Sequence, residues 1–201
     1  NRNLETLYPN SRYGKRMPIG LMSVVDNFAP QTLRDYYEKW YRPDLQGIIV
    51  VGDFDAKDME KRIQKTFGDV EMPENPAEFK RFDVPATPEP IYVIDNDKEM
   101  QRTIIEVMYK TPAIPYEMAN TTTTYMLSFI RSIIANSLNA RLAELARKDD
   151  CPFALAECGF DNYLLANTED CFYGVVIPKE GRDKEAVALL MQEIERARRF
   201  G

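Results

Sequence analysis

Histidine, the commonest metal ligand and proton shuttle among side chains, is absent from all 201 residues. A catalytic zinc needs three protein ligands of the His, Cys or carboxylate type and one open position. Cys151, Cys158 and Cys171 form no CxxC pair, and without histidine neither a Cys–His nor a Ser–His–Asp arrangement is available. We therefore assign no catalytic, cofactor-binding or metal-binding residue to this chain, and we interpret the three cysteines as small buried hydrophobic side chains.

Neighbouring carboxylates are the remaining groups with a capacity for acid–base chemistry. Asp53 with Asp55, and Asp149 with Asp150, could each form such a pair. Each pair lies at a predicted turn or helix start, where an aspartate accepts hydrogen bonds from backbone amides. We predict that these residues cap helices and turns.

The acidic stretch that begins at Asp95 loosely resembles a calcium-binding loop, with Glu106 eleven positions later. Its sixth position is Met100 instead of the glycine that such a loop requires, and its flanks alternate like strands. We predict a solvated polar turn and no calcium site.

Composition indicates a folded chain with no nucleic-acid partner and no membrane span. An apolar fraction of 44% allows a core, whereas a net charge of −6 with no basic stripe argues against nucleic-acid binding. The cations Arg196, Arg198 and Arg199 end a predicted helix, where they complement its dipole. No apolar run reaches the length of a membrane span.

Hydrophobic periodicity and breaker residues predict the helices and strands of this chain. Asn136 and Asn139 are weak helix formers, so we expect a break in the helix 116–147 at one of them, with Asn139 capping the second part. The predicted helices are a turn within 20–27, then 32–41, 56–67, 116–147 with that break, and a last helix capped by Asp183. The predicted strands are Gly47–Val51, Ile91–Ile94, Thr103–Lys110, Phe153–Asp161 and Cys171–Ile177. We expect the run Gly47–Val51 to be covered on both faces, because it does not alternate. From residue 91 onward the order β-β-α-α-β-β-α predicts an α+β fold, with a mixed or antiparallel sheet and helices on one face.

The segment Tyr36–Asp55, YYEKWYRPDLQGIIVVGDFD, joins an aromatic helix end, a proline stop, an apolar run and an acidic turn. Tyr41-Arg42-Pro43, the run ending in Val51-Gly52-Asp53, and Phe67-Gly68 occur in an order that resembles the pitrilysin/insulinase family of zinc metallopeptidases. Upstream, residues 13–20 (YGKRMPIG) resemble the family segment that ends in Pro-Ile-Gly. The likeness is to the long bacterial members described as zinc proteases, and it is denser before Gly68 than after it.

A second resemblance lies between residues 139 and 156. Asn139-Ala140-Arg141-Leu142 is similar to the family's Ser-or-Asn-x-Arg-Leu, and Cys151-Pro152-Phe153-Ala154 is similar to its Gly-x-Ala-Tyr segment. Leu145-Ala146-Arg147 is similar to the family's leucine-arginine step between these two segments. In the family's proteases an Arg and a Tyr of the equivalent region reach the substrate carbonyl, where Tyr stabilises the developing oxyanion. Phe153 has no hydroxyl group, so we expect it to pack beside a helix end, and we assign that role to neither Arg147 nor Phe153.

Residues 71–90 mark a domain boundary, because five prolines in this stretch preclude a helix and disfavour a central strand. The resemblance implies that residues 1–70 are the C-terminal part of a first domain, the one that bears the metal in the family. Residues 71–90 would be an extended linker. Residues 91–201 would be a second, non-catalytic peptidase-like α/β-roll domain that is incomplete at its C-terminus.

The resemblance also implies a function. The family's His-x-x-Glu-His helix lies upstream of the Pro-Ile-Gly segment, so we expect this chain to be a non-metal-binding part of a zinc metalloendopeptidase. The parent would bind zinc, hydrolyse peptides inside a closed chamber and reside in the periplasm or cell envelope. Its partners would be peptide substrates and the remaining domains of the parent. Apolar surface left exposed on the incomplete first domain predicts self-association of the isolated chain.

Two other interpretations stay open at this point. The parent could be a metal-free relative that serves as a structural or peptide-binding subunit, a kind of protein that the family also contains. The chain could also be an unrelated α+β interaction domain.

Overall fold

The secondary structure begins with short helices and ends with a sheet packed against two long helices. A computed structural model describes residues 3–162 and 166–201. Its helices are α1 (Leu4–Leu7), α2 (Met22–Val25), α3 (Pro30–Trp40), α4 (Ala56–Phe67), α5 (Thr122–Ala146) and α6 (Asp183–Phe200). Its strands are β1 (Ile105–Pro112), β2 (Phe153–Asp161) and β3 (Glu169–Pro178), with 3-10 turns at Pro43–Leu45 and Tyr116–Met118. The predicted α+β class is confirmed.

The strands form one antiparallel sheet in the order β1-β3-β2, so that β3 is central. Glu106 of β1 and Glu157 of β2 both lie opposite Val175 of β3. The β2 prediction matches the observed bounds, and the predictions for the other two strands are each within two residues of them. Alternation and flanking turn residues therefore sufficed to locate these strands.

The core lies between one face of the sheet and the helices α5 and α6. Leu138, Leu142 and Leu145 recur along one side of α5 and are buried. Phe153, Val176 and Leu190 complete the centre of this cluster and are fully buried. A smaller cluster contains Leu4, Tyr8, Val84 and Ala166.

Two compact units divide the chain: residues 1–17 with 81–201, and residues 18–80. The proline-rich stretch 71–90 contains no helix or strand. Its first part belongs to the second unit, where Arg42 donates to the Ala77 carbonyl at 2.5 Å. Its last part belongs to the first unit, where Thr168 donates to the Phe82 carbonyl at 3.1 Å. The domain boundaries at 70 and 90 stay a prediction.

Two predicted strands are absent. Gly47–Val51 and Ile91–Ile94 have no strand pairing, and Ile49, Val51 and Ile94 are about nine-tenths exposed or more, at 89%, 91% and 98%. The prediction of a buried strand at Gly47–Val51 is therefore wrong for this chain. A strand requires a hydrogen-bonded neighbour, and the described residues supply none for either segment.

Three helix details also differ from the prediction. Helix α5 begins at Thr122 and not at residue 116, because Tyr116–Met118 form a separate 3-10 turn and Thr121 caps the helix after it. Helix α5 runs without a break through Asn136 and Asn139, because tertiary contacts on its C-terminal half outweigh the weak helix propensity of asparagine. Asp183 is the first residue of α6 instead of its cap, and Arg182 precedes the helix without a side-chain capping bond.

Candidate functional site

The three cysteines lie in the unit that contains residues 81–201, and all three are buried with free thiols. Burial raises the pKa of Cys158 and of Cys171 to about 11, so both stay protonated near neutral pH. Protonated thiols are poor nucleophiles and poor metal ligands. Within residues 3–162 and 166–201, no group of three or more His, Cys, Asp or Glu side chains could hold a metal ion. The donor set of this chain does not fit a catalytic zinc.

The carboxylates that could form acid–base pairs lie in turns and caps. Asp55 accepts a hydrogen bond from the Asp58 amide at 3.0 Å and caps α4, as the sequence predicts. Asp149 and Asp150 follow α5 as exposed turn residues, and the Asp150 carbonyl accepts from Arg182 at 2.7 Å. The capping prediction is confirmed for Asp55. The contact of Asp150 involves its backbone carbonyl and not its carboxylate, so capping by the other three aspartates stays a prediction.

The acidic stretch at Asp95 is the polar turn that its sequence predicts. Asp95 accepts from the Asn96 amide at 2.9 Å, and Asp97 accepts from the Glu99 amide at 3.0 Å. Glu106 lies apart from them in β1, where burial and the nearby Asp161 raise its pKa. The calcium-like spacing thus produces a turn followed by a strand.

The residues that carry the second family likeness are used in packing. Phe153 is fully buried in the core. Arg141 donates to Glu193 of α6 at 3.3 Å and to Glu144 at 3.4 Å. Because Glu193 is itself buried, this ion pair joins α5 to α6.

A polar contact that the sequence did not reveal joins α5 to the sheet. Arg131 donates to the buried carboxylate of Asp170 at 2.9 Å and to Asn162 at 3.0 Å. Its guanidinium group also lies 5.5 Å from the centre of the Phe160 ring. A lone arginine in an apolar helix is the sequence signal for such a contact, but the signal does not name the partner.

The N-terminal half of α5 presents the most conspicuous surface of this unit. Its apolar side chains are between 41% and 73% exposed: Tyr125, Met126, Phe129, Ile130, Ile133 and Ile134. We call these six residues the α5 apolar surface. Arg131 is the only charged residue between 122 and 140, and it is paired with Asp170. A large exposed apolar patch marks an interaction surface.

None of the helices in the described part of the chain is long and apolar enough to cross a membrane. The other end of α5 packs in the core, where Leu138, Leu142 and Leu145 are buried.

Comparisons with known proteins agree with this arrangement. The sequence profile of a family described as "Peptidase M16 inactive domain" matches residues 27–201. A relative from Arabidopsis thaliana, named "Zinc protease PQQL-like", is 28% identical over 194 residues, which cover 96% of this chain and 19% of the relative.

Solved structures show the same fold. The crystal structure of the periplasmic protease PqqL from Escherichia coli matches with a TM-score of 0.81 and 25% identity, over 99% of this chain and 21% of that chain. A variant of the ferredoxin protease FusC in complex with Arabidopsis ferredoxin matches with a TM-score of 0.75 and 18% identity, over 99% of this chain and 22% of that one. The chain spans about a fifth of the length of these proteins.

Proposed function

The chain belongs to the M16 family of metallopeptidases and matches the family's inactive domain. We propose that it is a non-catalytic domain of a zinc metalloendopeptidase and forms part of the wall of the chamber in which peptides are cleaved. The observation that carries the proposal is the use of the family-like positions for packing. Phe153 is enclosed in the core, and Arg141 is tied to Glu193 and Glu144. Because these residues stabilise the fold of this domain, we assign the domain a structural role in the protease and place catalysis in another domain.

The zinc of such a protease would be held by residues outside this chain. A bound zinc polarises the peptide carbonyl and activates water. The chain contains no histidine, and its three thiols are buried. The name of the Arabidopsis relative, a zinc protease, favours an active parent over a metal-free one.

We assign the α5 apolar surface to docking against the remaining domains of the parent. The one charged residue of this stretch, Arg131, is paired with Asp170, so no free charge among the six side chains favours their exposure to water. The matched relatives are about five times as long as this chain, so they possess further domains to cover such a surface.

The substrates would be peptides in a closed chamber of which this chain forms part of the wall. Two proteins of this fold are named as proteases, and one of them was solved in complex with a ferredoxin. Protein-derived peptides are therefore the substrate class that we propose for the parent.

Zinc content and peptide turnover test the proposal. The purified chain and its full-length parent are assayed side by side, with metal analysis and a quenched fluorescent peptide library. We expect the parent to carry zinc and to cleave peptides, and the chain to do neither. Stoichiometric zinc in the isolated chain, together with turnover that a chelator abolishes, would refute the proposal. A parent without zinc or turnover would favour the metal-free subunit.

A further inference from the structure

An asparagine on α5 binds both backbone groups of a single residue in β2. The Asn139 amide nitrogen donates to the Cys158 carbonyl at 2.9 Å, and the Asn139 side-chain oxygen accepts from the Cys158 amide at 2.7 Å. The two bonds reproduce the donor and acceptor pair that a neighbouring strand would present.

The register of the sheet shows that these backbone groups point away from β3. Ala113 donates to the Thr168 carbonyl at 2.9 Å, which marks the bonded pairs between β1 and β3. Alternation along β3 then turns the backbone groups of Gly174 towards β1. Cys158 lies opposite Gly174, so its own groups face the outer edge of β2.

Because β2 is an edge strand of the described sheet, its outer backbone groups are a template for pairing with another extended chain. We propose that Asn139 acts as a strand surrogate: it fastens α5 to the outer edge of β2 and closes that edge at its midpoint to strand addition. The proposal concerns the sheet alone and does not depend on the protease function.

The helix around Asn139 supports this assignment. Asparagine side chains in helices often bond to nearby backbone, which interrupts the helix. Here α5 continues from Thr122 to Ala146, and the Asn139 side chain is directed to a residue nineteen positions away. The buried residues Leu138 and Leu142 on the same helix hold it in this place.

Amide exchange at Cys158 tests the bonds directly. Asn139→Ala is compared with Asn136→Ala, which removes an exposed asparagine of the same helix, by NMR-detected hydrogen exchange. We expect the Cys158 amide to exchange about tenfold faster or more in Asn139→Ala and to be unchanged in Asn136→Ala. Unchanged protection of Cys158 in Asn139→Ala would overturn the proposal.

Replacing Asn139 by aspartate gives a second test, in which a side chain of almost the same size and shape is kept. Asn139→Asp keeps the acceptor for the Cys158 amide, but its ionised form faces the Cys158 carbonyl. The folded state then prefers the protonated acid, so the pKa of the new carboxyl rises on folding, and stability that is present at low pH is lost as pH rises through that pKa. A variant whose stability has the same pH profile as the unmodified chain would contradict the geometry.

Edge closure is tested by aggregation. Asn139→Ala is compared with Ile194→Val, which removes one methyl group from the core, at conditions that unfold equal fractions of both. We expect thioflavin-binding aggregates to form faster in Asn139→Ala. Equal rates would show that the asparagine fastens the helix without protecting the edge, and the edge-closing claim would fail.

Discussion

Residues 122–201 and residues 18–80 carry the same kinds of sequence signal and use them differently. Both contain amphipathic helices and apolar runs. The first region encloses Leu142, Phe153 and Leu190 completely. In residues 18–80, all of which are described, the only buried residue is the charged Arg42. An apolar pattern thus predicts which side of a helix or strand is suited to burial, but burial occurs only where other elements pack against that side.

The contrast is clearest between two apolar runs. Val176 of β3 is fully buried, because β1 and β2 flank it and the helices α5 and α6 cover one face. Val51 ends a run of similar composition and is 91% exposed. The difference lies in the neighbours, since a strand gains its hydrogen bonds only from a paired strand.

The largest predicted effect comes from removing a core aromatic ring. Phe153→Ala should lower the free energy of unfolding by about 3–5 kcal/mol, because the ring is completely enclosed and its loss leaves a cavity. Phe129→Ala is the matched control, because its ring is 55% exposed, and we expect a much smaller change. Urea unfolding followed by circular dichroism measures both. Equal costs for the two variants would mean that the division into covered and uncovered regions is wrong.

The next effect concerns the buried ion pair of α5. Arg131→Met should destabilise the chain by about 3 kcal/mol, because it removes the guanidinium partner of the buried Asp170 carboxylate. The exposed pair of Lys61 and Asp58 provides the comparison, with side chains 76% and 69% exposed. We expect Lys61→Met to change stability by less than about 1 kcal/mol. Thermal and urea unfolding measure the stability of both variants. A larger loss of stability in Lys61→Met than in Arg131→Met would contradict the prediction.

The α5 apolar surface should cause self-association. Met126→Lys combined with Ile133→Lys should raise the dissociation constant more than about tenfold, since burying each apolar side chain contributes roughly 1.5–3 kcal/mol. Asn136→Lys on the same helix serves as the control. Sedimentation velocity over a range of concentrations measures the effect. An unmodified chain that stays monomeric at every concentration would contradict the prediction.

The smallest effect lies on the exposed end of α6. Hydrogen bonds from Arg198 and then Arg199 lower the pKa of Glu195 to about 2. A folded-state pKa below the unfolded one stabilises the fold above the unfolded pKa, and this contribution is lost as pH falls towards 2. Glu195→Gln should therefore make the stability of the chain fall slightly less as the pH is lowered from 6 to 2. Urea unfolding at several pH values between 2 and 6 measures this change. The same pH dependence of stability in Glu195→Gln and in the unmodified chain would count against a lowered pKa of Glu195.

Local signals sufficed for part of the fold. The bounds of α4 and β2 could be predicted, because Asp55 caps one element, Gly68 ends it, and Pro152 precedes the other. The start of α5 was not predicted, because the sequence favours a helix from residue 116, whereas Thr121 caps α5 by accepting from the Thr124 amide at 3.3 Å. Caps and breakers act within a few residues, so they are readable from sequence.

Contacts between distant residues were not predictable in this way. Arg131 meets Asp170 across thirty-nine positions, and Asn139 meets Cys158 across nineteen. Both depend on how α5 packs on the sheet, which no local pattern specifies. The run Gly47–Val51 shows the converse limit, because its strand-like pattern has no partner in the described residues and the run forms no strand.

Hydrogen–deuterium exchange with mass spectrometry on the unmodified chain tests the central claim most directly. The account predicts slow exchange in β2, β3, the second half of α5 and α6, and fast exchange in residues 47–51 and 91–94. Protection of residues 47–51 comparable to that of β3 would show that this chain covers its own apolar runs, and would contradict the account.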